Sequence, residues 1–578
     1  MTNRSANILS GIIIIMALAI RLYPVTANLP YVLCHDENNY IETALRFGTG
    51  NFTMATYSHG GLFQLMLFAE YAVYYILLKF MRSVSSPIGF LMLYLKDPSV
   101  FFIIARATAA ACAAGAAYLS FLIGKKAFGI RTGIIACIFA SFSMLMTQVS
   151  FLALADAPAV LILASAILLL IWSIRKTNGA GFYYVACFII GMACACKYYG
   201  VFGMAPAYVA AFFIYKDSHD RSIFTLTRLL IFGTALSLAG FLVSVPSIIL
   251  NLHTFYKDSV VRMGTEYILM DTNKNKWLYC FTWHLKNGLG IPLELTALSG
   301  ISYAFYKRTR EDILLLSFPV SYYLLVMNAT ALAQHVYPMA FFVLILGARL
   351  ISDFSERMNT KYRSLIALTL AIAITFPTFT DSIKFIGIIK SRDTRIMAKR
   401  WIEDNISNDD TILEEGYVNR TASHGPALAE NAAALERDLK NVLSLKGSGF
   451  LVKLKISNFD TLYKGIKRYD IFKADRLAVK DIMENDPSYI ILTGDNDMDI
   501  ITEFSYYIEK RHLIERVAVK DEIGKRYRLV KSFQPSDEFS YYFPLLLNND
   551  YHVIRGRSLH DFRDCVKGPK IDIYKKIE

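Results

Sequence analysis

The chain has 578 residues, 54% of them hydrophobic, and its mean hydropathy is +0.37. A soluble globular protein of this length is more polar, so the composition excludes that class. The net charge of +13 is of the size that nucleic-acid-binding proteins carry. Here much of the excess lies in short loops between apolar segments, as in membrane proteins, and we expect no nucleic acid partner.

Eleven apolar segments divide roughly the first 385 residues. A helix needs about 20 apolar residues to cross the hydrocarbon core of a bilayer, and most of the segments are near that length. Only segments that satisfy their own backbone hydrogen bonds suit lipid, so the pattern predicts a polytopic α-helical membrane protein with about 11 spans. The predicted spans are 8–22, 101–123, 132–149, 158–174, 182–195, 200–215, 227–249, 287–306, 313–330, 337–352 and 364–384.

The loops between the spans alternate in charge. Lys and Arg cluster in every second gap, and the positive-inside rule places such gaps in the cytoplasm. We therefore predict a multi-pass protein of the inner (plasma) membrane, with the N-terminus in the cytoplasm and the chain after about residue 390 outside. The clustered residues are Lys125, Lys126 and Arg131, then Arg175 and Lys176, Lys216 and Arg221, Lys307, Arg308 and Arg310, and Arg357, Lys361 and Arg363.

Segment 61–80 is apolar enough to be a twelfth span. If it crossed, every later loop would change sides and the basic loops would face outward, against the positive-inside rule. It also contains Glu70 and a cluster of tyrosines, which suit a helix that lies in the membrane interface. We therefore predict that 23–100 forms one large outer loop with helices on the membrane surface.

The chain changes character near residue 390, where short strand-like runs alternate with helical patterns. This alternation predicts a compact α/β domain. We therefore divide the chain into a transmembrane catalytic domain, 1–390, and a soluble extracytoplasmic domain, 391–578. The predicted strands include 411–413, 450–452, 489–492 and 527–530, and the predicted helices include 394–404 and 425–443.

An acidic pair, Asp36 and Glu37, opens a helical pattern in the large loop after the first span. The helix dipole alone favours acids at a helix start, so a purely structural role is an alternative. A carboxylate beside the membrane is also suited to take a proton from an attacking hydroxyl group. We predict a catalytic role for both residues.

Asp156 is a lone acid at the outer end of a span, two residues before Pro158. It suits an N-cap of the next helix, but ionisable residues at membrane depth are rare and usually functional, so we predict a catalytic role. Lys197 lies in the turn between two short spans, where a cation breaks the positive-inside rule. Snorkelling to the interface would explain it, and so would binding of a lipid phosphate.

Other polar residues of the outer loops are weaker candidates, since each alone is more often an ordinary surface residue. His59 and His335 join Lys197 as candidates for phosphate binding, and Tyr40, Arg262 and His284 are candidates for substrate binding.

A metal site is only weakly indicated, because the sequence has no HExxH motif and no Cys/His cluster with zinc spacing. Asp36, Glu37 and Asp156 are candidates to share a hard divalent cation if the two loops meet. A divalent cation is the one cofactor that the sequence leaves open.

The order of these motifs resembles the polyprenyl-phosphate-sugar-dependent glycosyltransferases of the GT-C superfamily, which includes the protein O-mannosyltransferases and the lipid A aminoarabinose transferases. The resemblance begins at the acidic pair and extends over nearly the whole chain. The matching motifs are Asp36-Glu37 with Tyr40, Arg106, 124–129, Asp156-Ala157-Pro158, Lys197-Tyr198, 288–293, Asp393-Thr394-Arg395 with Trp401-Ile402, and 568–574.

The resemblance implies an inverting transfer of a hexose or pentose from a polyprenyl-phosphate donor to a hydroxyl of a lipid, glycan or protein acceptor. Asp36 would be the base that activates the acceptor. Lys197, with His59 or His335, would stabilise the departing lipid phosphate, and Asp156 would orient Lys197 or help to bind the acceptor. Membrane lipid would surround the site.

The chain departs from the family pattern at two places. Many relatives carry an Arg where this chain has Gln334-His335 before Tyr337-Pro338. A Pro-rich stretch after the first outer helix is replaced by 58–61. Both departures concern the donor, so the identity of the sugar and its carrier stays open.

Two other classes of function fit parts of the sequence. A transporter or lipid flippase would use the same acids as ion-coupling groups, but such proteins tend to have inverted repeats and mid-span acids. We find no repeat, and the acids lie at span ends. A receptor or scaffold would leave Asp36, Asp156 and Lys197 without a shared role.

Overall fold

The computed structural model describes residues 2–31, 35–54, 56–176, 179–262, 276–326, 333–358, 361–415, 425–442, 449–474, 477–493, 517–536 and 566–577. Helices make up almost all of the described chain before residue 391. They are α1 Asn3–Leu22, α2 His35–Phe47, α3 Leu62–Phe80, α4 Pro87–Lys96, α5 Ser99–Phe128, α6 Ile130–Phe142, α7 Met144–Gln148, α8 Asp156–Ser173, α9 Ala180–Cys196, α10 Met204–Asp217, α11 Ile223–Ser244, α12 Ser247–Leu250, α13 Leu252–Phe255, α14 Lys276–Tyr279, α15 Lys286–Leu289, α16 Ile291–Lys307, α17 Arg310–Val326, α18 Ala333–Glu356 and α19 Arg363–Lys390.

Three short non-α segments join some of these helices. A 3₁₀-helix, Tyr198–Gly203, connects α9 to α10, and π-helical segments cover Tyr256–Arg262 and Cys280–Leu285. The short spans predicted on either side of Lys197 are therefore the hairpin α9–α10.

Among the described residues, eight helical segments are long and apolar enough to cross a membrane. The predicted class, a polytopic helical membrane protein with a C-terminal domain that contains a β-sheet, is confirmed, but the count of about 11 spans is not. Each predicted span falls on a helix, yet several helices, such as Ile130–Phe142 and Ala180–Cys196, are short. The eight are Asn3–Leu22, Leu62–Phe80, Ser99–Phe128, Asp156–Ser173, Tyr198–Asp217, Ile223–Ser244, Gln334–Glu356 and Arg363–Lys390.

The helical domain has two chemically different ends. One end, which we call the Asp156 end, carries the first turns of α5 and α8 and the last turn of α9. The opposite ends of the same helices lead into the loops with Lys125, Arg131 and Arg175, and we call this the basic end. Ion pairs tie the basic end together: Arg175 pairs with Glu311 at 2.6 Å and Arg131 with Glu356 at 2.9 Å.

Helix α3 is long enough to span, but its contacts lie at the Asp156 end. Near its start, the ring of Phe63 packs against Tyr40 of α2 at 5.4 Å. Two turns later, the hydroxyl group of Tyr71 donates to the carbonyl oxygen of Phe101, in the first turn of α5, at 3.0 Å. Because Phe63 and Tyr71 lie about two turns apart and both contact the Asp156 end, the structure favours the prediction that α3 lies along the membrane surface.

The chain after residue 390 forms an α/β unit. Its strands are β1 Arg392–Asp393, β2 Thr411–Glu415, β3 Asp470–Ala474, β4 Tyr489–Thr493, β5 Tyr527–Phe533, β6 Val566–Lys567 and β7 Ile571–Lys576. Its helices are α20 Thr394–Asn405, α21 Ala432–Val442, α22 Gly449–Ser457, α23 Phe459–Leu462 and α24 Val479–Asn485, and 517–526 is also helical. Five strands form a sheet in the order β3-β2-β4-β7-β5, in which β2 pairs parallel with β3 and β4, and β7 pairs antiparallel with β4 and β5.

The strand predicted at 450–452 is wrong, because these residues belong to α22. Phe450 and Leu451 pack against the hydrophobic core of the helical domain, so tertiary burial and not pairing in a sheet explains their apolar character. A short apolar run does not by itself distinguish a strand from a buried helical turn.

The junction between the two parts is a buried polar joint. Strands β1 and β6 pair in parallel, and the ammonium group of Lys567 donates to the carbonyl oxygens of Ile389 and Ser391 at the end of α19. Burial lowers the pKa of Lys567 to about 8. Gly568 has a φ of +107°, and a Cβ there would lie 2.5 Å from the hydroxyl oxygen of Thr394, so this turn requires glycine.

Close helix packing makes a prediction for stability. A Cβ at Gly191 of α9 would lie 1.9 Å from the carbonyl oxygen of Ser237 in α11, whereas one at Gly181 of α9 would meet nothing within 4 Å. Small residues allow such close approach between membrane helices. We expect Gly191→Ala to destabilise the protein by about 1–3 kcal/mol and Gly181→Ala to be neutral. Thermal unfolding of the two purified variants tests this, and equal melting temperatures would contradict the α9–α11 contact.

Candidate active site

Helix α2 places the predicted acidic pair at the Asp156 end. Asp36 and Glu37 lie in its first turn, where the helix dipole favours negative charge. The Asp36 side chain is half-buried, and the Glu37 side chain is fully buried. Consecutive positions on a helix point about 100° apart, so the two carboxylates face different surroundings.

The Glu37 carboxylate forms a bidentate ion pair with Arg106 of α5. The guanidinium group donates from Nε to Oε1 and from Nη2 to Oε2, both at 2.7 Å. Oε1 also accepts the backbone N–H of Ala153 at 2.9 Å. Planar, bidentate pairs of this kind fix orientation as well as charge. This geometry suits a positioning role for Glu37 better than contact with a substrate. Glu37 holds α2 in place and thereby positions Asp36.

Arg106 also ties the chain after the first helix to the same point. Its Nη1 donates to the carbonyl oxygens of Val25 and Ala27 at 2.8 and 3.0 Å. One buried guanidinium group therefore joins α5, α2 and the loop that follows α1. The sequence signal for this role was an Arg near the start of an otherwise small-residue span, but its partner lies 69 positions away in the chain.

Asp156 and Lys197 form the second ion pair of the site. The Lys197 ammonium group lies 2.6 Å from both carboxylate oxygens of Asp156. Asp156 begins α8 but does not cap it, since no side-chain capping bond forms at this helix start. Lys197 follows α9 in an extended conformation, so its side chain leaves the helix and turns toward Asp156. The backbone carbonyl of Asp156 accepts the hydroxyl group of Tyr199 at 3.1 Å.

Tyr40 connects the two acids. Burial raises the pKa of the Tyr40 phenol well above its ordinary value, and the carboxylates of Asp156 and Asp36 raise it further. Tyr40 therefore stays protonated and able to donate. Its ring stacks on the ring of His59, with the centroids 5.8 Å apart.

The three candidate histidines lie close enough to interact through His335. His335, near the start of α18, is buried and interacts electrostatically with Lys197, His284 and His59. His284 is also buried, and its ring packs edge-on against Tyr279 at 5.1 Å. Arg262 ends a π-helical segment, and its side chain lies outside the described residues.

The loop that presents His59 is held by contacts that the sequence did not predict. The hydroxyl group of Tyr198 donates to the carbonyl oxygens of Tyr57 and His59, at 2.6 and 3.2 Å. A Cβ at Gly60 would lie 2.1 Å from the carbonyl oxygen of Ala195, so only glycine allows the loop to approach α9 this closely. The Gly60-Gly61 pair was the available signal in the sequence.

A divalent cation, which the sequence leaves open, does not fit the Glu37 and Asp156 carboxylates. Arg106 occupies both oxygens of Glu37, and Lys197 contacts both oxygens of Asp156. Hard cations prefer several oxygen ligands that are free to coordinate. In the part of the chain that the structure describes, no three His, Cys, Asp or Glu residues form a group able to hold a metal ion.

Comparison with known proteins gives a match at the centre of this site. Residues 91–246 match the family model described as dolichyl-phosphate-mannose-protein mannosyltransferase. The predicted resemblance is confirmed over this stretch. It contains Arg106, Asp156 and Lys197, and thus one partner of the first ion pair and both partners of the second. A search of the curated proteins found no match.

Several solved structures resemble the chain at low sequence identity. Archaeal oligosaccharyltransferase AglB from Archaeoglobus fulgidus, in complex with an inhibitory peptide and a dolichol-phosphate, is 11% identical, with a TM-score of 0.45 over 85% of this chain and 70% of that one. ArnT from Cupriavidus metallidurans, bound to undecaprenyl phosphate, is 10% identical, with a TM-score of 0.45 over 86% and 94%. Another structure of the A. fulgidus oligosaccharyltransferase, with Zn and sulfate, is 12% identical with a TM-score of 0.42 over 69% of this chain, which spans 60% of its length.

The buried Glu37–Arg106 pair generates a test. Glu37→Gln leaves the Arg106 charge buried without a partner, so we expect a loss of about 3–5 kcal/mol of stability. Combining it with Arg106→Met removes both charges and should recover a large part of that loss. The measurement is thermal unfolding of the purified variants.

The surface pair Arg131–Glu356 supplies the control, because its side chains are 21% and 54% exposed. Glu356→Gln should cost less than about 1 kcal/mol. A Glu37→Gln variant as stable as Glu356→Gln would show that the Glu37–Arg106 pair does not hold α2.

Proposed function

We propose that this protein is an integral-membrane inverting glycosyltransferase. It moves a hexose or pentose from a polyprenyl-phosphate donor to a hydroxyl group of a lipid, glycan or protein. The observation that carries the proposal is the convergence of Asp36, the Asp156–Lys197 pair and three histidines at the end of the helices opposite the basic loops. The match of residues 91–246 to a mannosyltransferase family supports it.

The location follows from the charge of the loops. The basic end carries Lys and Arg clusters, which membrane proteins keep in the cytoplasm. The Asp156 end then faces the extracytoplasmic side of the inner membrane, and the α/β domain lies on that side. A sugar linked to a lipid phosphate at this surface is within reach of the site. The AglB and ArnT structures hold dolichol-phosphate and undecaprenyl phosphate, and we propose a donor of this class for this chain.

Asp36 acts as the general base. Its half-buried carboxylate takes the proton of the acceptor hydroxyl group as the hydroxyl oxygen attacks the anomeric carbon of the donor. The bond from that carbon to the phosphate oxygen breaks in the same step, and the lipid phosphate leaves. A single displacement inverts the configuration at the anomeric carbon. Glu37 and Arg106 position α2 for this step.

Lys197 stabilises the leaving group. Negative charge develops on the phosphate oxygen in the transition state, and a fixed cation there is worth more than it would be in water. Asp156 holds Lys197 in place while no donor is bound. The three protons of the ammonium group allow Lys197 to contact the phosphate while keeping a bond to Asp156. His335, which interacts with both Lys197 and His59, supplies a further donor with His59.

Substitution of the base gives the first test. Asp36→Asn keeps the size of the side chain but removes its basicity, so turnover should fall by about 100-fold or more. Release of lipid phosphate from a polyprenyl-phosphate-linked sugar by the purified protein measures it.

Glu42→Gln, on the same helix with its carboxylate bonded to Tyr94, is the control and should keep turnover within a few-fold. Normal turnover of Asp36→Asn with an intact fold would remove Asp36 as the base.

Substitution of the cation gives the second test. Lys197→Ala combined with Asp156→Asn removes the pair without leaving a buried charge. We expect the KM for the donor to rise by about 10-fold or more while the KM for the acceptor stays unchanged, because a charge-assisted contact to phosphate is lost.

Steady-state kinetics with each substrate varied separately make the measurement. Lys176→Ala, at the basic end, is the control for loss of a membrane-edge lysine. An unchanged donor KM in the double variant would refute the phosphate role.

A further inference from the structure

A cavity of about 190 Å³ lies in the C-terminal domain, outside the site described above. It opens at the edge of β3, the outermost strand of the sheet, between α21 and α24. Strands β2, β3 and β4 run parallel, and the cavity extends along β3 from Ile471 to Ala474.

The walls of the cavity combine an aromatic ring with polar side chains. Phe472 of β3 contributes the ring, and the guanidinium group of Arg437 lies 4.0 Å from its centroid. Asp481 and Asn485 of α24 face them across the cavity. A flat ring beside several hydrogen-bonding groups gives the cavity both an apolar and a polar surface.

Two oxygen atoms in the cavity wall are able to accept further hydrogen bonds. Asp481 uses Oδ2 to accept the backbone N–H of Ala478 at 2.8 Å, and Asn485 uses Nδ2 to donate to the backbone carbonyl of Asp481 at 2.8 Å. Oδ1 of each residue receives no hydrogen bond from any residue that the structure describes. Unused acceptors select a ligand that brings donors, such as hydroxyl groups.

The two cations in the wall are already neutralised. Arg437 pairs with Asp470, and Lys473 pairs with Glu430 and with Asp438, the latter at 3.1 Å. A phosphate or carboxylate ligand would therefore meet balanced cations together with the Asp481 carboxylate. This charge pattern disfavours anions and suits an uncharged ligand.

The polar cluster beside the cavity is unusual for a structural role. Burial lowers the pKa of Lys473, but the carboxylates of Glu430 and Asp438 outweigh this effect and raise it. Burial also raises the pKa of Glu414, beside this cluster, to about 7. Burying ionisable groups is costly and weak evidence for stability, whereas perturbed groups that line a cleft are typical of binding sites.

We propose that this cavity binds one uncharged sugar ring. A cavity of about 150 Å³ holds one benzene ring, so a cavity of about 190 Å³ suits a single sugar ring and not an oligosaccharide. The edge of Phe472 and the Arg437 guanidinium group stacked on it line one side of the sugar, and Asp481 and Asn485 accept its hydroxyl protons. The proposal rests on the proposed function in one respect: a glycosyltransferase has sugar-bearing substrates, and this cavity holds a sugar unit of one of them away from the reacting bond.

Binding of simple glycosides to the full-length protein tests the proposal. The protein is placed in lipid nanodiscs, because maltoside or glucoside detergents would compete. The probes are methyl α-mannoside, methyl β-glucoside, methyl β-galactoside and methyl N-acetyl-β-glucosaminide, with inorganic phosphate as the anionic comparison. Saturation-transfer NMR and isothermal titration should detect at least one glycoside with a Kd on the order of 1 mM.

Two variants assign the binding to the cavity. Ala474→Trp fills it from β3, and Asn485→Leu removes an acceptor while keeping a partly exposed helix end. Each should weaken glycoside binding by about 10-fold or more. Glu484→Leu, exposed on the same helix and outside the cavity, is the matched control and should bind as the unmodified protein does.

The outcomes separate this proposal from the proposed function. Failure of every glycoside to bind, or equal binding by Ala474→Trp and Asn485→Leu, would overturn it. Displacement of the glycoside by phosphate would also overturn the proposal, because the cavity would then be an anion-binding site. Binding must persist in Asp36→Asn, because dependence on Asp36 would assign the sugar to the transmembrane site. Normal turnover of Asp36→Asn, in contrast, removes the catalytic proposal and leaves the binding result standing.

Discussion

The cost of burying charge is the constraint on which this structure depends. Glu37 and Asp156 are almost completely inaccessible to solvent, at the edge of a domain whose surroundings are hydrocarbon. An ionised carboxylate is stable there only with a cation in contact and with its remaining lone pairs used. Arg106 and Lys197 meet this requirement in different ways. The guanidinium group is planar and bidentate, while the ammonium group is a compact point charge that is able to share its protons.

That difference explains why one pair suits a structural role and the other a chemical role. Arg106 has five N–H donors, and four of them donate to Glu37 and to two backbone carbonyl groups. Little capacity is therefore left to bind a substrate. Lys197 is described with one partner carboxylate and is 12% exposed. A phosphate that arrives beside Lys197 adds a second anion to a cation already in place. Under the proposed function, the site would therefore require little rearrangement on binding a lipid phosphate.

Much of this arrangement was predictable from the sequence, and the parts that were not share a physical cause. The apolar segments and the alternating loop charge are local patterns, so they predicted the helical class and placed Asp156 and Lys197 at one end. The partner of Glu37 was not predictable, because Arg106 is distant from it in sequence. A single Arg in a helix of small residues gives no indication of which carboxylate it pairs with. The run at 450–452 misled for a similar reason, since its burial against the helical domain is a tertiary effect. Hydropathy alone does not decide the number of spans. Helix α3 is apolar enough to cross the membrane, yet its residues Phe63 and Tyr71 both contact the Asp156 end.

The junction with the C-terminal domain contacts the loop that follows α1. The ammonium group of Lys390, at the end of α19, lies 3.8 Å from the ring centroid of Tyr23, and that of Lys399 in α20 lies 5.6 Å from the ring of Tyr31. Tyr23 and Tyr31 bracket the loop whose carbonyl groups at Val25 and Ala27 accept hydrogen bonds from Arg106. A displacement of the domain would therefore move a loop that shares its anchor with α2, and with it Asp36. Because packed interfaces shift between discrete arrangements and do not deform continuously, such a displacement would reach Asp36 through this shared anchor.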